Sequence, residues 1–339
     1  MPELRRDTLT DRWVAISPER GKRPSDYRVE RDTSPVSRDP ACPFCPGNEE
    51  TTPPEIDRVD GPDGDWRVRV VPNKFPALNH EPRSNPQRVL DLFERMNGTG
   101  SHEVVIESRS HAATLPDLPL EQIETILDTY VARLHALAEN PDYRHVLVFK
   151  NHGKAAGASL AHPHSQIIGT PLVPREVAAR VRMAAAYTKE TGRCFVCDLL
   201  ERESREGTRV IEETDDYLVL APYASRFQFE TRIVPRMHHH DFAASRVTQR
   251  RALARALRGT LTKLGTILGD PPYNLVVQTA PLPSADTGHS SQAIARSLHW
   301  HIEILPRLSQ VAGFEWGTGM HINPTPPEEA AAALRETTC

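Results

Sequence analysis

The chain has 339 residues, 25% of them charged and 38% hydrophobic, with a formal net charge of −4. That composition is ordinary for a water-soluble globular protein, and the length admits one large core or two mid-sized ones. The acidic balance argues against broad binding of a nucleic-acid backbone, no run of 18 apolar residues offers a membrane span, and the N-terminus has no apolar signal core; a cytoplasmic protein with neither nucleic acid nor membrane as partner is expected.

Proline is high at 30 residues and is densest near residues 35–62, which predicts a loop-rich stretch there. Four of the five cysteines form two Cys-x-x-Cys pairs, Cys42/Cys45 and Cys194/Cys197, and the fifth, Cys339, is the last residue. After the first pair, residues 66–71 and 102–107 alternate and are β-branched, which predicts strands; His111 follows the second. Ile123, Ile126, Leu127, Tyr130, Leu134 and Leu137 recur at spacings of three and four, one face of a helix. A strand at 145–149 leads into a Gly/Ala/Ser loop and then His162-Pro-His164-Ser-Gln166.

The same order returns after the second pair. Strands are expected at 217–220 and 228–234, the latter leading into His238-His239-His240. Leu253, Leu257, Leu261, Leu264 and Leu268 share a helical face, a strand follows at 274–278, and a loop ends in His299-Trp-His301. Two passes through one plan predict a tandem duplication of class α+β, mainly antiparallel sheet with helices, divided into residues 1–180 and 181–339 with a connecting helix near 177–187.

Zinc takes four N/S ligands in closed structural sites. The first half offers Cys42, Cys45, His111 and His162, and the second Cys194, Cys197, His299 and one of His238, His239 and His240. His238 is the expected ligand of the three because it sits relative to its strand as His111 does. His301 is left as either a second-site ligand or a sheet histidine. His164 is two residues beyond His162, so on a strand both point to one face. A neutral imidazole there is a competent nucleophile towards phosphorus. The loop Asn151-His-Gly-Lys-Ala-Ala-Gly157-Ala-Ser159 supplies small residues that let a phosphate approach the backbone, and the Gln166 amide can hydrogen-bond a phosphoryl oxygen without transferring a proton.

These motifs, with Ser17-Pro-Glu-Arg20-Gly-Lys-Arg23-Pro, Val71-Pro-Asn73-Lys-Phe75-Pro-Ala-Leu78 and Ser110-His111, resemble the galactose-1-phosphate uridylyltransferase branch of the histidine-triad superfamily over nearly the whole chain. The resemblance implies two histidine-triad-like halves, a homodimer and a zinc site at Cys42, Cys45, His111 and His162. It implies His164 as the carrier of the nucleotidyl group, Gln166, Ser159 and Gly157 at its phosphate, Asn73, Phe75 and Asn151 at the nucleoside, and Arg20 and Arg23 at the sugar-nucleotide phosphates. Substrates would be a nucleoside-diphosphate sugar and a sugar 1-phosphate or phosphate. UDP-glucose with galactose 1-phosphate is the first expectation, and ADP-glucose with phosphate the second. Two departures point to the second, which is the reaction of a plant-type relative. Ser165 stands where the typical pattern has glycine, and the segment from Gly313 to Pro324 lacks a Tyr-Glu pair.

Overall fold

A computed structural model describes residues 1–21, 28–29 and 38–338. Arg23 and Cys339, singled out above, lie outside the described residues.

Two short antiparallel strands open the chain, β1 (Glu3–Asp7) and β2 (Arg12–Ile16). The first half continues through β3 (Asp57–Asp60), β4 (Trp66–Pro72), a hairpin of β5 (Gln87–Val89) and β6 (Phe93–Arg95), β7 (Ser101–Ile106), helix α1 (Leu120–Ala138), β8 (His145–His152) and β9 (His164–Thr170). Helix α2 (Arg175–Thr191) ends at Gly192, whose φ of 75° stops the helix, and α3 (Phe195–Glu206) starts directly after Cys194. The second half follows with β10 (Val210–Glu213), β11 (Tyr217–Leu220), β12 (Thr231–Pro235), α4 (Val247–Leu268), β13 (Tyr273–Gln278), α5 (Ser291–Ser297) and β14 (His301–Pro306). Then come α6 (Gly313–Thr318), β15 (His321–Asn323), which lies parallel to β2, and α7 (Pro327–Glu336).

Ten strands form one antiparallel sheet in the order β10-β11-β12-β14-β13-β8-β9-β7-β4-β3. Each half contributes the same sequence of strands from its outer edge inward, β3-β4-β7-β9-β8 and β10-β11-β12-β14-β13. The halves join at β8 and β13, where His152 faces Tyr273 and Val148 faces Val277. The expected boundary at 180/181 falls inside α2, which spans the connecting helix expected near 177–187, and the two halves share one sheet.

They also share a core. The expected apolar faces of α1 and α4 are buried against one side of the sheet, Ile126 and Leu257 meeting Val105, Ile167, Val277 and Ile302 in a single cluster. Each such side chain contributes about 1.5–3 kcal/mol relative to exposure. Strand alternation then decides what faces away from the helices. On β7, Val105 joins the helix side while Val104 and Ile106 join a second cluster with Phe44, Trp66 and the two N-terminal cysteines. On β9, Ile167 and Ser165 lie on the helix side, so His164 and Gln166 project from the opposite face. No helix of the described residues is long and apolar enough to cross a membrane.

Candidate active site and metal centres

His162 precedes β9 and His164 begins it. His162 is fully buried, and its Nε2 lies 2.7 Å from Ser108 O. That carbonyl accepts the Nε2 proton, so Nδ1 carries the lone pair and points at Cys45 Sγ, 3.6 Å away. His111 Nδ1 lies 3.3 Å from the same sulfur, and one ligand atom each from Cys42, Cys45, His111 and His162 falls within 4.8 Å of the others. A tight turn, Cys45 N–H to Cys42 O at 3.2 Å, brings the two sulfurs together.

The second half repeats the arrangement with Cys194, Cys197, His238 and His299, again within 4.8 Å. His238 Nε2 is 2.8 Å from Ala295 O and His299 Nε2 is 2.8 Å from Pro235 O, which leaves both Nδ1 atoms facing Cys197 Sγ at 3.3 and 3.6 Å. In each cluster two thiols and two imidazoles, with His162, His238 and His299 each fixed by a backbone carbonyl behind the ring, are a donor set that suits a tetrahedral metal ion. Of the three adjacent histidines, His238 is the one brought to the cysteines; His239 turns to Asp241 O at 2.9 Å and stacks on His240.

His164 has different surroundings. It is 7% exposed, and its Nδ1 lies 2.7 Å from His162 O. The Phe44 ring meets it edge-on with centroids 5.4 Å apart. Burial, with Lys150 nearby, pushes the His164 pKa below the ordinary imidazole value and keeps the ring neutral. Beneath it, on the helix side, Lys150 Nζ donates to Glu107 Oε2 at 2.6 Å and to His164 O at 3.1 Å. Tyr130 OH donates to Glu107 Oε1 at 3.0 Å, and Ser165 Oγ donates to the same oxygen. Burial opposes the Glu107 charge, but Lys150 and these hydroxyls hold its carboxyl below the usual range.

The loop between β8 and β9 is a single 3-10 turn, Lys154–Ala156, flanked by Gly153 and Gly157 at φ 78° and 92°. Its amides are turned inward: Ala156 and Ala158 N–H bond to Gly153 O, and Gly157 N–H to Lys154 O. Gly157 therefore supplies a backbone conformation that a side chain would strain, and Ser159, two residues on, is exposed. Asn274, from the second half, donates to Asn151 Oδ1 at 2.9 Å and to Ala156 O at 2.8 Å, locking the loop to the sheet. Asn73 and Phe75 lie on the loop after β4, with Phe75 84% exposed. Arg20 is exposed in the turn Pro18–Arg20, and among the described residues no hydrogen bond or ion pair joins it to the His164 region.

His301 occupies in β14 the place of His164 in β9. Its Nδ1 is 3.3 Å from His299 O, and it stands outside the Cys194, Cys197, His238 and His299 group. Cross-strand register puts Val276 opposite Glu303 as it puts Phe149 opposite Gln166, so Glu303 replaces the glutamine. Glu303 accepts from Gln278 Nε2 at 2.9 Å and from Arg226 at 3.1 Å, and lies 3.3 Å from Arg232. The second copy thus holds an internal carboxylate, paired with its own arginines, where the first has a neutral amide. Lys150, Glu107, Tyr130 and Asn274 were not anticipated as site residues; each acts across strands or from the helix, and no local motif announces that.

Residues 1–174 match the family model for the galactose-1-phosphate uridyl transferase N-terminal domain, and residues 180–336 match that for its C-terminal domain. The chain belongs to this family of nucleotidyltransferases. It is 38% identical to an ADP-glucose phosphorylase of Arabidopsis thaliana over 99% of this chain and 93% of that one. It is 31% identical to a galactose-1-phosphate uridylyltransferase of Thermotoga maritima over 99% of both chains. Among solved structures, the Arabidopsis thaliana ADP-glucose phosphorylase with bound ADP-glucose superposes with a TM-score of 0.83 at 35% identity, covering 100% of both chains. A uridylyltransferase structure gives 0.73 at 28% identity, covering 99% of this chain and 97% of that one.

Proposed function

We propose that the protein moves a nucleoside monophosphate from a nucleoside-diphosphate sugar to a phosphate acceptor by two displacements through His164. The observation that carries this reading is the 2.7 Å hydrogen bond from His164 Nδ1 to His162 O. With the Nδ1 proton held by a carbonyl, the lone pair of the neutral ring sits on Nε2. Nε2 attacks the α-phosphorus, and the bond from that phosphorus to the oxygen bridging the β-phosphate breaks. The sugar 1-phosphate leaves with that bond's electrons. A phosphate leaving group needs no proton, which fits Gln166, a donor that is not an acid. The positive charge growing on the ring is stabilised by His162 O. An oxygen of the acceptor phosphate then attacks the same phosphorus, the P–N bond breaks, and Nε2 recovers its lone pair.

Gln166 and Ser159 serve the transferred phosphate, with Gly157 shaping the loop. Asn73, Phe75 and Asn151 serve the nucleoside, and Arg20 the sugar-nucleotide phosphates. Zinc is the metal proposed for both Cys/His clusters, where it would cross-link loops to the sheet and take no part in the displacement. The exposed Phe314 and Trp316, at 46% and 79%, fit a homodimer that covers them.

ADP-glucose with inorganic phosphate is the substrate pair that the 38% relative supports, together with Ser165 and its buried hydrogen bonds. UDP-glucose with galactose 1-phosphate is the second reading, supported by the 31% relative. Product analysis separates them. The first reading predicts that ADP-glucose is turned over to glucose 1-phosphate and ADP only when phosphate is added, with no more than about one equivalent of glucose 1-phosphate released per enzyme without it. UDP-glucose turnover that requires galactose 1-phosphate, with ADP-glucose inert, would reverse the order.

A further inference from the structure

A side-chain amide has two ends of nearly equal size and opposite sign. If Gln166 turns its NH2 towards a phosphoryl oxygen it attracts, and if it turns its carbonyl it repels. Something must choose between these orientations, and β9 itself does not. The neighbour that makes the choice is His102 on β7, whose Cα pairs with Ile168. His102 Nε2 lies 2.7 Å from Gln166 Oε1.

The direction of that bond follows from a backbone group. Ala77 N–H lies 3.1 Å from His102 Nδ1, and an amide N–H can only donate. Nδ1 is therefore the acceptor, the neutral ring carries its proton on Nε2, and Nε2–H must meet an oxygen on Gln166. Asn73 Nδ2 is also 3.1 Å from Nε2, but a proton donated there would leave a neutral ring with its own proton against Ala77 N–H. The Asn73 amide is itself oriented, since its Oδ1 accepts from Phe75 N–H at 2.9 Å. Asn73 N–H also bonds to His102 O at 2.8 Å, so the loop that carries Asn73 and Phe75 is fastened to both ends of this histidine.

We infer that His102 is a positioning residue that fixes the Gln166 amide with its NH2 turned to the transferred phosphoryl group, and that it is itself oriented by the loop after β4. The inference rests on nucleotidyl transfer at His164. It deepens that reading by naming what gives Gln166 its polarity. Nothing in the linear sequence marks His102, which reads as one polar residue in an alternating strand.

The test is single-turnover formation of nucleotidyl-enzyme in the full-length protein, with ADP-glucose and UDP-glucose as donors. It compares wild type with His102→Ala and His102→Gln, and adds the 15N NMR signature of the His102 ring. The expected result is a rate constant lower by about 10- to 100-fold in His102→Ala, in the range for loss of one preorganised donor. Donor affinity should change far less. His102→Gln, whose amide N–H stands in for Nε2–H, should recover part of the rate, and the wild-type ring should show a protonated Nε2 and an unprotonated Nδ1. A protonated Nδ1, an unchanged rate constant in His102→Ala, or an effect confined to donor affinity would overturn the inference while leaving transfer intact. A wild-type enzyme that forms no adduct with either donor would instead overturn the transfer reading, and this inference with it.

Discussion

Ser165 carries more than its place in the motif suggests. Its hydroxyl reaches Glu107, and through Glu107 it joins Lys150, which grips the carbonyl of His164. The ion pair is almost fully buried, with side chains 3% and 0% exposed, so neither charge has water to fall back on. Lys150→Met should therefore cost about 3–5 kcal/mol in urea denaturation, the usual result of orphaning a buried charge. Replacing both partners together, Lys150→Met with Glu107→Leu, should cost less than either single change. A double variant as unstable as the sum of the singles would show that the charges do not compensate each other.

The carboxylate of the second half invites a pH experiment. Burial opposes ionisation of Glu303, but Arg226, His301 and Arg232 hold its carboxyl well below the usual range. A carboxyl depressed in the folded state stabilises the fold above its unfolded value, and that contribution is lost as pH falls through the folded value. Wild-type stability should thus hold from neutrality to about pH 5 and fall below it, since an unfolded glutamate titrates near 4.3. Glu303→Gln should be less stable at neutral pH and show a shallower decline in acid, measured as Tm against pH. A variant with the wild-type slope would mean that Glu303 is not a main source of the acid response.

At the scale of elements, the loop between β8 and β9 is shaped by backbone conformation more than by free amides. Gly157 sits at φ 92°, and a Cβ there would have room, its nearest neighbour being Asn151 Nδ2 at 3.6 Å; the obstacle is the dihedral. Gly157→Ala should cost about 1–2 kcal/mol, the penalty for a left-handed non-glycine residue. The loss should appear either as stability or as weaker nucleotide binding. Calorimetry with a donor nucleotide checks it, and a variant matching wild type in both would contradict the turn as described.

The elements also show what the chain discloses before it folds. The apolar stripes of α1 and α4 and the alternation in β4 and β7 were legible because their partners lie within one turn or two residues. The two Cys/His groupings were legible as well, since Cys-x-x-Cys pairs and the spaced histidines point to one donor chemistry. Strand β12 begins at Thr231, three residues later than expected, because Phe229 takes φ 57° and breaks the extended run. Helix α3 was not anticipated; it is short and overlaps the second cysteine pair. His102, Lys150 and Asn274 were invisible as site residues because their partners lie 64, 43 and 123 residues away. Only strand pairing brings those distances to contact.

The whole molecule is two copies of one plan fused into a single sheet, and the copies have diverged in chemistry while keeping their geometry. Each has a Cys/His cluster before its central strand. If both hold zinc, elemental analysis should find two per chain, and chelation should lower Tm, because a metal bound only by the folded state stabilises it. A protein without zinc whose Tm is unaffected by chelator would remove the metal from the account. Only the first copy leaves its strand histidine beside a neutral amide, and only it is expected to carry a nucleotide. The second answers its histidine with Glu303 and fills the space with its own arginines.

The most direct test of the central claim is the intact mass of the protein after mixing with ADP-glucose or UDP-glucose, separately and without acceptor. The account predicts an adduct of one nucleotidyl group, mapped to His164 and absent in His164→Asn, with ADP-glucose the better donor. No adduct from either nucleotide, or one that survives in His164→Asn, would contradict it.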